Sequence, residues 1–309
     1  MKRTIPILIA VLVVQIALTV YTWSGNTDSE DIGKPLATFK TTEIDHITLL
    51  DSDKKELTFV KKGANWIIPQ HFETLADGNR IAAFLKKIST LKSGWPVATT
   101  DSAATRFQVA DNQFKVKIVL AGGDKKQMTL YLGDSAGVRS AYFRLKGSSD
   151  IYRGNLASYD FPTDPDKWLD SSILQQDVKD ISAIQFKDFT VTREKDGFTL
   201  QEEDEQKVDA NAAKKLFSTL AGIVPDGVLG IKEDSSYNLA SPALLVVARM
   251  KDGASIEYRF AQPSEEKNSY VLKTSNQKPY FKVLKSRITN LLEASRKTIT
   301  KKLTPHKEK

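Results

Sequence analysis

Asp77 and Asp209 are the residues whose type and spacing first invite a chemical reading. They lie 132 positions apart, each just before an amphipathic run, GNRIAAFLKKIS and ANAAKKLFSTLA. Two equivalent carboxylates brought to a shared cleft could act as acid and base on a glycosidic bond. Asp at that place also accepts hydrogen bonds from the orphan amides of a first helical turn, and helix capping is the simpler expectation. Of the three histidines, His46, His71 and His306, no two have the i, i+4 spacing of a zinc helix, so they are read as solvated or hydrogen-bonded side chains. Gly122-Gly123-Asp124 has no following Lys-Ser/Thr and opens no helix, which makes it a hairpin turn and not a phosphate loop. The acidic run Glu202-Glu203-Asp204-Glu205 has neither the alternating oxygen ligands nor the glycine turn of a calcium loop and reads as a solvated loop. No G-x-S-x-G elbow occurs. With no cysteine there is no thiolate nucleophile, thiolate metal site or disulfide. These residues assign no catalytic, cofactor-binding or metal-binding position.

The elements around those acids repeat. LTFVKKGANWII, a short loop and ADGNRIAAFLKKISTLKSG return as FTVTREKDGFTL and VDANAAKKLFSTLAGIVPDG. Leu57 falls on Phe189, Phe59 on Val191, Trp66 on Phe198, Ile68 on Leu200 and Phe84 on Leu216 without a gap. Alternating apolar residues predict strands, and Ile81, Phe84, Leu85, Ile88 and Leu91 mark one face of a helix ended by Gly94 and Pro96. Further strands are expected over Phe114–Leu120, Met128–Leu132, Ala141–Leu145 and Asp150–Arg153. Tyr142 answers Tyr270, Tyr152 answers Tyr280 and Leu156 answers Leu284. A period near 130 residues means paired domains and not a stack of short repeats. The fold expected is α+β: two tandem duplicated modules of antiparallel strands with a packed helix each, module 1 over 43–173 and module 2 over 174–295. Trp168, in the proline-rich joint FPTDPDKWLD, is expected to be buried where the halves meet.

The 309 residues carry a net charge of +7, but Lys2 and Arg3 contribute two units and residues 296–309 a net five, so residues 4–295 are neutral. That is not the balance of a surface that tracks phosphates, and no nucleic-acid partner is expected. Residues 5–23 contain no charge and would make a helix about 28 Å long, close to the thickness of a bilayer core. Tyr21 and Trp23 close it with interfacial rings. The segment ends in LTVYTWSGN, without an A-x-A-like site, so it is expected to remain as a transmembrane anchor. Lys2 and Arg3 before it place residues 1–4 in the cytoplasm and the body outside, which in a bacterium is the periplasmic side of the inner membrane. Residues 24–42 read as a linker and 296–309 as a basic, solubilising tail.

Several motifs together resemble the bacterial domain-of-unknown-function family 4340. They are the N-terminal anchor, Trp66-Ile67-Ile68, Ala76-Asp77, Arg106-Phe107-Gln108-Val109, Ile151-Tyr152, and Tyr237-Asn238-Leu239 followed by Ser241-Pro242. The likeness spans most of residues 40–290, and the family's usual Tyr-Gly-Leu step is replaced in both copies. The resemblance implies a membrane-tethered envelope protein associated with auxiliary components of ABC-type transporters, without known catalysis. The expected function is therefore an accessory, scaffolding or binding protein with no enzymatic activity. The alternative is an envelope hydrolase acting on glycan or peptidoglycan through carboxylates in a cleft between the modules.

Overall fold

A computed structural model describes residues 11–20, 33–36, 39–123, 125–201, 208–263 and 266–300. Helix α1 (residues 11–20) exposes Val11, Leu12, Val13, Val14, Ile16, Leu18 and Val20. Among the described residues no helix is long and apolar enough to cross a membrane. The rest of the expected anchor, residues 5–10 and 21–23, lies outside the described residues.

The protein is a mixed α+β structure built mostly from antiparallel strands in two eight-stranded sheets. Strands β1 (His46–Asp51), β2 (Glu56–Lys62), β3 (Asn65–Ile68) and β4 (Thr74–Ala76) precede helix α2 (Gly78–Ser89). After α3 (Asp101–Arg106) come β5 (Val109–Ala110), β6 (Gln113–Phe114), β7 (Val116–Gly122), β8 (Lys125–Gly137), β9 (Ser140–Leu145) and β10 (Ile151–Gly154). The second series is β11 (Ile181–Gln185), β12 (Thr190–Glu194), β13 (Gly197–Gln201), α4 (Ala210–Ala221) and β14 (Gly227–Gly230). It continues with β15 (Leu244–Met250), β16 (Ser255–Ala261), β17 (Ser269–Thr274), β18 (Tyr280–Leu284), α5 (Lys285–Leu292) and α6 (Arg296–Ile299).

One sheet runs β10-β9-β8-β7-β1-β2-β3-β4 and the other β14-β18-β17-β16-β15-β11-β12-β13. Seven strands thus keep the same order in both, from β10, β9, β8, β7, β1, β2, β3 to β18, β17, β16, β15, β11, β12, β13. The eighth differs, since β4 extends one sheet beyond β3 and β14 extends the other beyond β18. The counterpart of β14 in the first series is a single bridge, Ala98 to Ile151.

The described residues fall into two compact units, 1–56 with 82–161, and 57–81 with 162–309. In the first, Val116, Ile118 and Leu120 on β7 are buried, the every-second-residue pattern of a strand with one covered face, whereas β8 is buried on both faces from Met128 to Gly133. The rings of Phe84 and Phe161 meet edge-on at 5.4 Å. A smaller cluster of Ala103, Ala104, Val109, Tyr131 and Ile151 carries Phe107 stacked on Tyr142 at 4.1 Å. In the second unit Leu216, Phe217 and Leu220 of α4 join Val246, Tyr258, Phe260, Leu272, Phe281 and Val283 of the sheet and Ile288 and Leu291 of α5 in one core. A small cluster of Leu239, Ala261, Val271 and Tyr280 stands apart from that core.

Both helix starts are built alike. The Asp77 carboxylate accepts the amides of Asn79 and Arg80 at 2.9 and 3.1 Å, and that of Asp209 accepts Asn211 and Ala212 at 2.8 and 3.1 Å. The Asp77 amide donates to the Trp168 carbonyl and the Asp209 amide to the Ile299 carbonyl, each at 2.7 Å. The bridges Ala76–Leu169 and Val208–Thr300 sit beside these bonds. Residues 296–300 therefore correspond to the Trp168 segment. Ser295 caps α6 and Ile299 is buried, so this first stretch of the expected basic tail is folded. Residues 301–309, with His306, lie outside the described residues.

Candidate functional site

Trp168 is buried against residues of its own unit. Its ring meets Phe59 at 5.0 Å, the Arg80 guanidinium sits 4.5 Å from its centroid, and its indole N–H donates to Pro162 O at 2.7 Å. It is closing material for the first helix, as Ile299 is for the second. Asp77 and Asp209 are caps, as expected. His46 pairs with its neighbour Asp45 at 2.6 Å on the surface, and Asp45 also accepts the Gly123 amide at 2.9 Å. Gly122 and Gly123 form the β7–β8 turn, with Gly123 at φ 56°. Asp124 and Glu202–Glu205 lie outside the described residues.

His71 has the more consequential surroundings. Its Nε2 lies 2.8 Å from Asp166 Oδ1, which also accepts the Val228 amide at 3.0 Å. Burial raises the Asp166 pKa, but the His71 bond, the Val228 amide and the charges of His71 and Lys167 outweigh it and hold the carboxyl below its ordinary value. A Cβ at position 227 would stand 2.5 Å from Asp166 Oδ2, which is why glycine opens β14. This latch ties the β3–β4 turn to β14. In that turn Phe72 and Glu73 both have positive φ, 58° and 55°, a costly conformation for a bulky side chain. The result is a phenylalanine 43% exposed. Phe72 Cζ and Tyr237 Oη fall 3.9 and 3.8 Å from where a Cβ on Gly230 would lie, and the next residue, Ile231, is 52% exposed.

Tyr237 leads from this apolar rim into a cleft. The 3₁₀ turn Ser235–Tyr237 is capped by Asp234, whose carboxylate accepts the Ser236 amide at 2.8 Å, and Tyr237 Oη donates to Leu229 O at 3.2 Å. The cleft has a volume of about 390 Å³, with Leu229, Tyr237, Pro263 and Val271 as apolar walls and Glu266, Ser269 and Lys282 as its polar groups. Lys282 Nζ lies 2.8 and 3.0 Å from the two Glu266 oxygens, and Ser269 Oγ donates to the same carboxylate. The Lys282 bond and then the Ser269 bond lower the Glu266 pKa. A carboxylate kept ionised in this way is a weak base and no acid near neutral pH. A half-open, largely apolar cleft with a few convergent polar groups suits binding.

Residues 66–242 match the model of the family described as Domain of unknown function (DUF4340). The chain belongs to that family. The DUF4340 match runs from Trp66 on β3 to Pro242 and takes in His71, Asp166, Gly227, Ile231 and Tyr237. No curated protein and no solved structure is significantly similar to the chain. The steps Phe107-Gln108-Val109 and Tyr237-Asn238-Leu239 both put the central residue in the left-handed region, Gln108 at φ 55° and Asn238 at φ 57°. Glycine adopts that backbone without the steric cost a side chain meets. Phe72, Ile231, Glu266, Ser269 and Lys282 carried no sequence signal. Tyr237 carried one through its motif.

Proposed function

We propose that this DUF4340 chain is a membrane-anchored periplasmic accessory or scaffolding protein that binds a partner and catalyses nothing. Residues 5–23 hold it in the bacterial inner membrane, and its body is a tandem duplication. The partner is a subunit of an ABC-type transporter or another envelope complex, the association that the family resemblance implies. The observation that carries the binding reading is the rim of Phe72 and Ile231 running through Tyr237 into the cleft, where the carboxylate is already neutralised by Lys282. Strained backbone clusters at ligand clamps and binding sites, and here it presents an apolar ring to solvent beside a second exposed apolar residue. The uncharged run from Ile5 to Trp23, and the seven large apolar side chains that α1 exposes within it, support the anchor. The hydrolase alternative needs carboxylates free to exchange protons, whereas Asp77 and Asp209 each accept two backbone amides. Purification of the detergent-solubilised full chain from native membranes tests the proposal. A transport subunit should co-purify, and recovery of this chain alone counts against it.

A further inference from the structure

We propose that the loop Trp95-Pro96-Val97 rests on the bilayer interface, so that the first unit meets the lipid headgroups with an aromatic contact beside the point where its tether arrives. This rests on the anchor reading for residues 5–23. Trp95 is 68% exposed and Val97 46%, unusual for a tryptophan in a loop pinned on both sides. On one side the Gly33 amide donates to Ser93 O at 2.9 Å, the Ser93 amide to Lys34 O at 2.8 Å and the Leu36 amide to Leu91 O at 2.9 Å. On the other, the Val97 amide donates to Ile151 O and the Ile151 amide to Ala98 O, at 2.8 and 2.9 Å. The loop is a fixed presentation of an indole.

Chain length makes lipid its occupant. Gly33 follows the end of the anchor at Trp23 by ten residues, which extended reach at most about 36 Å. Ser93 is bonded to Gly33, and Trp95 is two residues further on, so the indole lies beside the point where the tether enters the unit and within its reach of the bilayer. Tryptophan favours the headgroup level, where its ring is buried and its N–H stays hydrated. Lys34 and Lys92, both exposed at the same Pro35–Lys92 bridge, add attraction to anionic lipid.

The absence of cysteine lets a single label report on this directly. Full-length W95C and V97C carry a nitroxide in vesicles of phosphatidylethanolamine and phosphatidylglycerol. V138C, at the fully exposed β8–β9 turn, serves as the reference. The labels at 95 and 97 should collide more with oxygen and several-fold less with a water-soluble nickel chelate than the label at 138. Nickel accessibility equal to that at 138, in chains that resist carbonate extraction, overturns the lipid contact and leaves the anchor standing. Protection from both reagents means that protein covers the loop and also overturns it. Release of the chain by carbonate removes the anchor reading and this inference together.

Discussion

Gln108 and Asn238 stand at the centre of the two family steps, with φ of 55° and 57°. The left-handed conformation costs a glutamine about 1–2 kcal/mol, whereas asparagine tolerates it. Glycine loses more entropy on folding, by about 0.5–1 kcal/mol. Gln108→Gly should therefore raise stability by about 0.5–1 kcal/mol in urea unfolding, whereas Asn238→Gly should give no gain, because it also removes the Asn238 Nδ2 donation to Gln262 O. A loss at position 108 would contradict the strain. Gly133, whose Cβ would lie 2.0 Å from Phe107 O, belongs to the same construction and leaves no room for alanine. Asp166 makes a separate prediction. Its folded pKa is lowered, so its stabilisation is complete above the unfolded carboxylate value of about 3.9 and is lost as pH falls through the lower folded value. Asp166→Asn should cost about 1–3 kcal/mol at pH 7, where a charged hydrogen-bond acceptor is removed. It should also flatten the acid limb of stability below about pH 4. An unchanged limb would show that the latch contributes nothing.

At the scale of elements, the two helix starts use the same parts: an aspartate cap, an amide bond to a returning segment and a one-pair bridge. Asp77→Ala and Asp209→Ala should each lower stability by about 1 kcal/mol, and the two losses should add because the caps share no partner. A double variant as stable as the parent would return both acids to the chemical candidates. These elements were legible in the sequence because their signals are local. The buried faces of Ile81, Phe84, Leu85 and Ile88 follow the helical period, and the hairpins follow alternation and glycine turns. Three features were not legible. The loop after Ile68 contains β4, three residues too short to show a period. The stretch from Arg296 reads as tail because its composition is basic, yet Ser295 caps a turn there and Ile299 reaches the core. Trp168 was readable as buried, but its equivalence to Ile299 appears only in hydrogen bonds to residues about ninety positions away.

At the scale of the molecule, the matched strand orders and matched caps account for framework, and the difference between the halves lies in what decorates it. In the first unit, the recess near the family step contains Arg144, whose guanidinium bonds Val109 O at 2.8 Å, pairs with Asp111 and packs on Tyr131. In the second unit, the step opens through Tyr237 onto the cleft and its apolar rim. The rim could not be read from sequence, because it depends on a latch between His71 and Asp166, 95 positions apart. The central claim is that this rim is a docking face for an envelope partner. A photo-activated crosslinker placed at Ile231 in the full chain, irradiated in native membranes, tests it most directly, with Val138 as the reference position. The account predicts a conjugate with a transport-complex subunit from position 231, absent from position 138 and lost with Phe72→Ala in a chain that remains folded. Conjugates equal from both positions, or none from position 231, would contradict it.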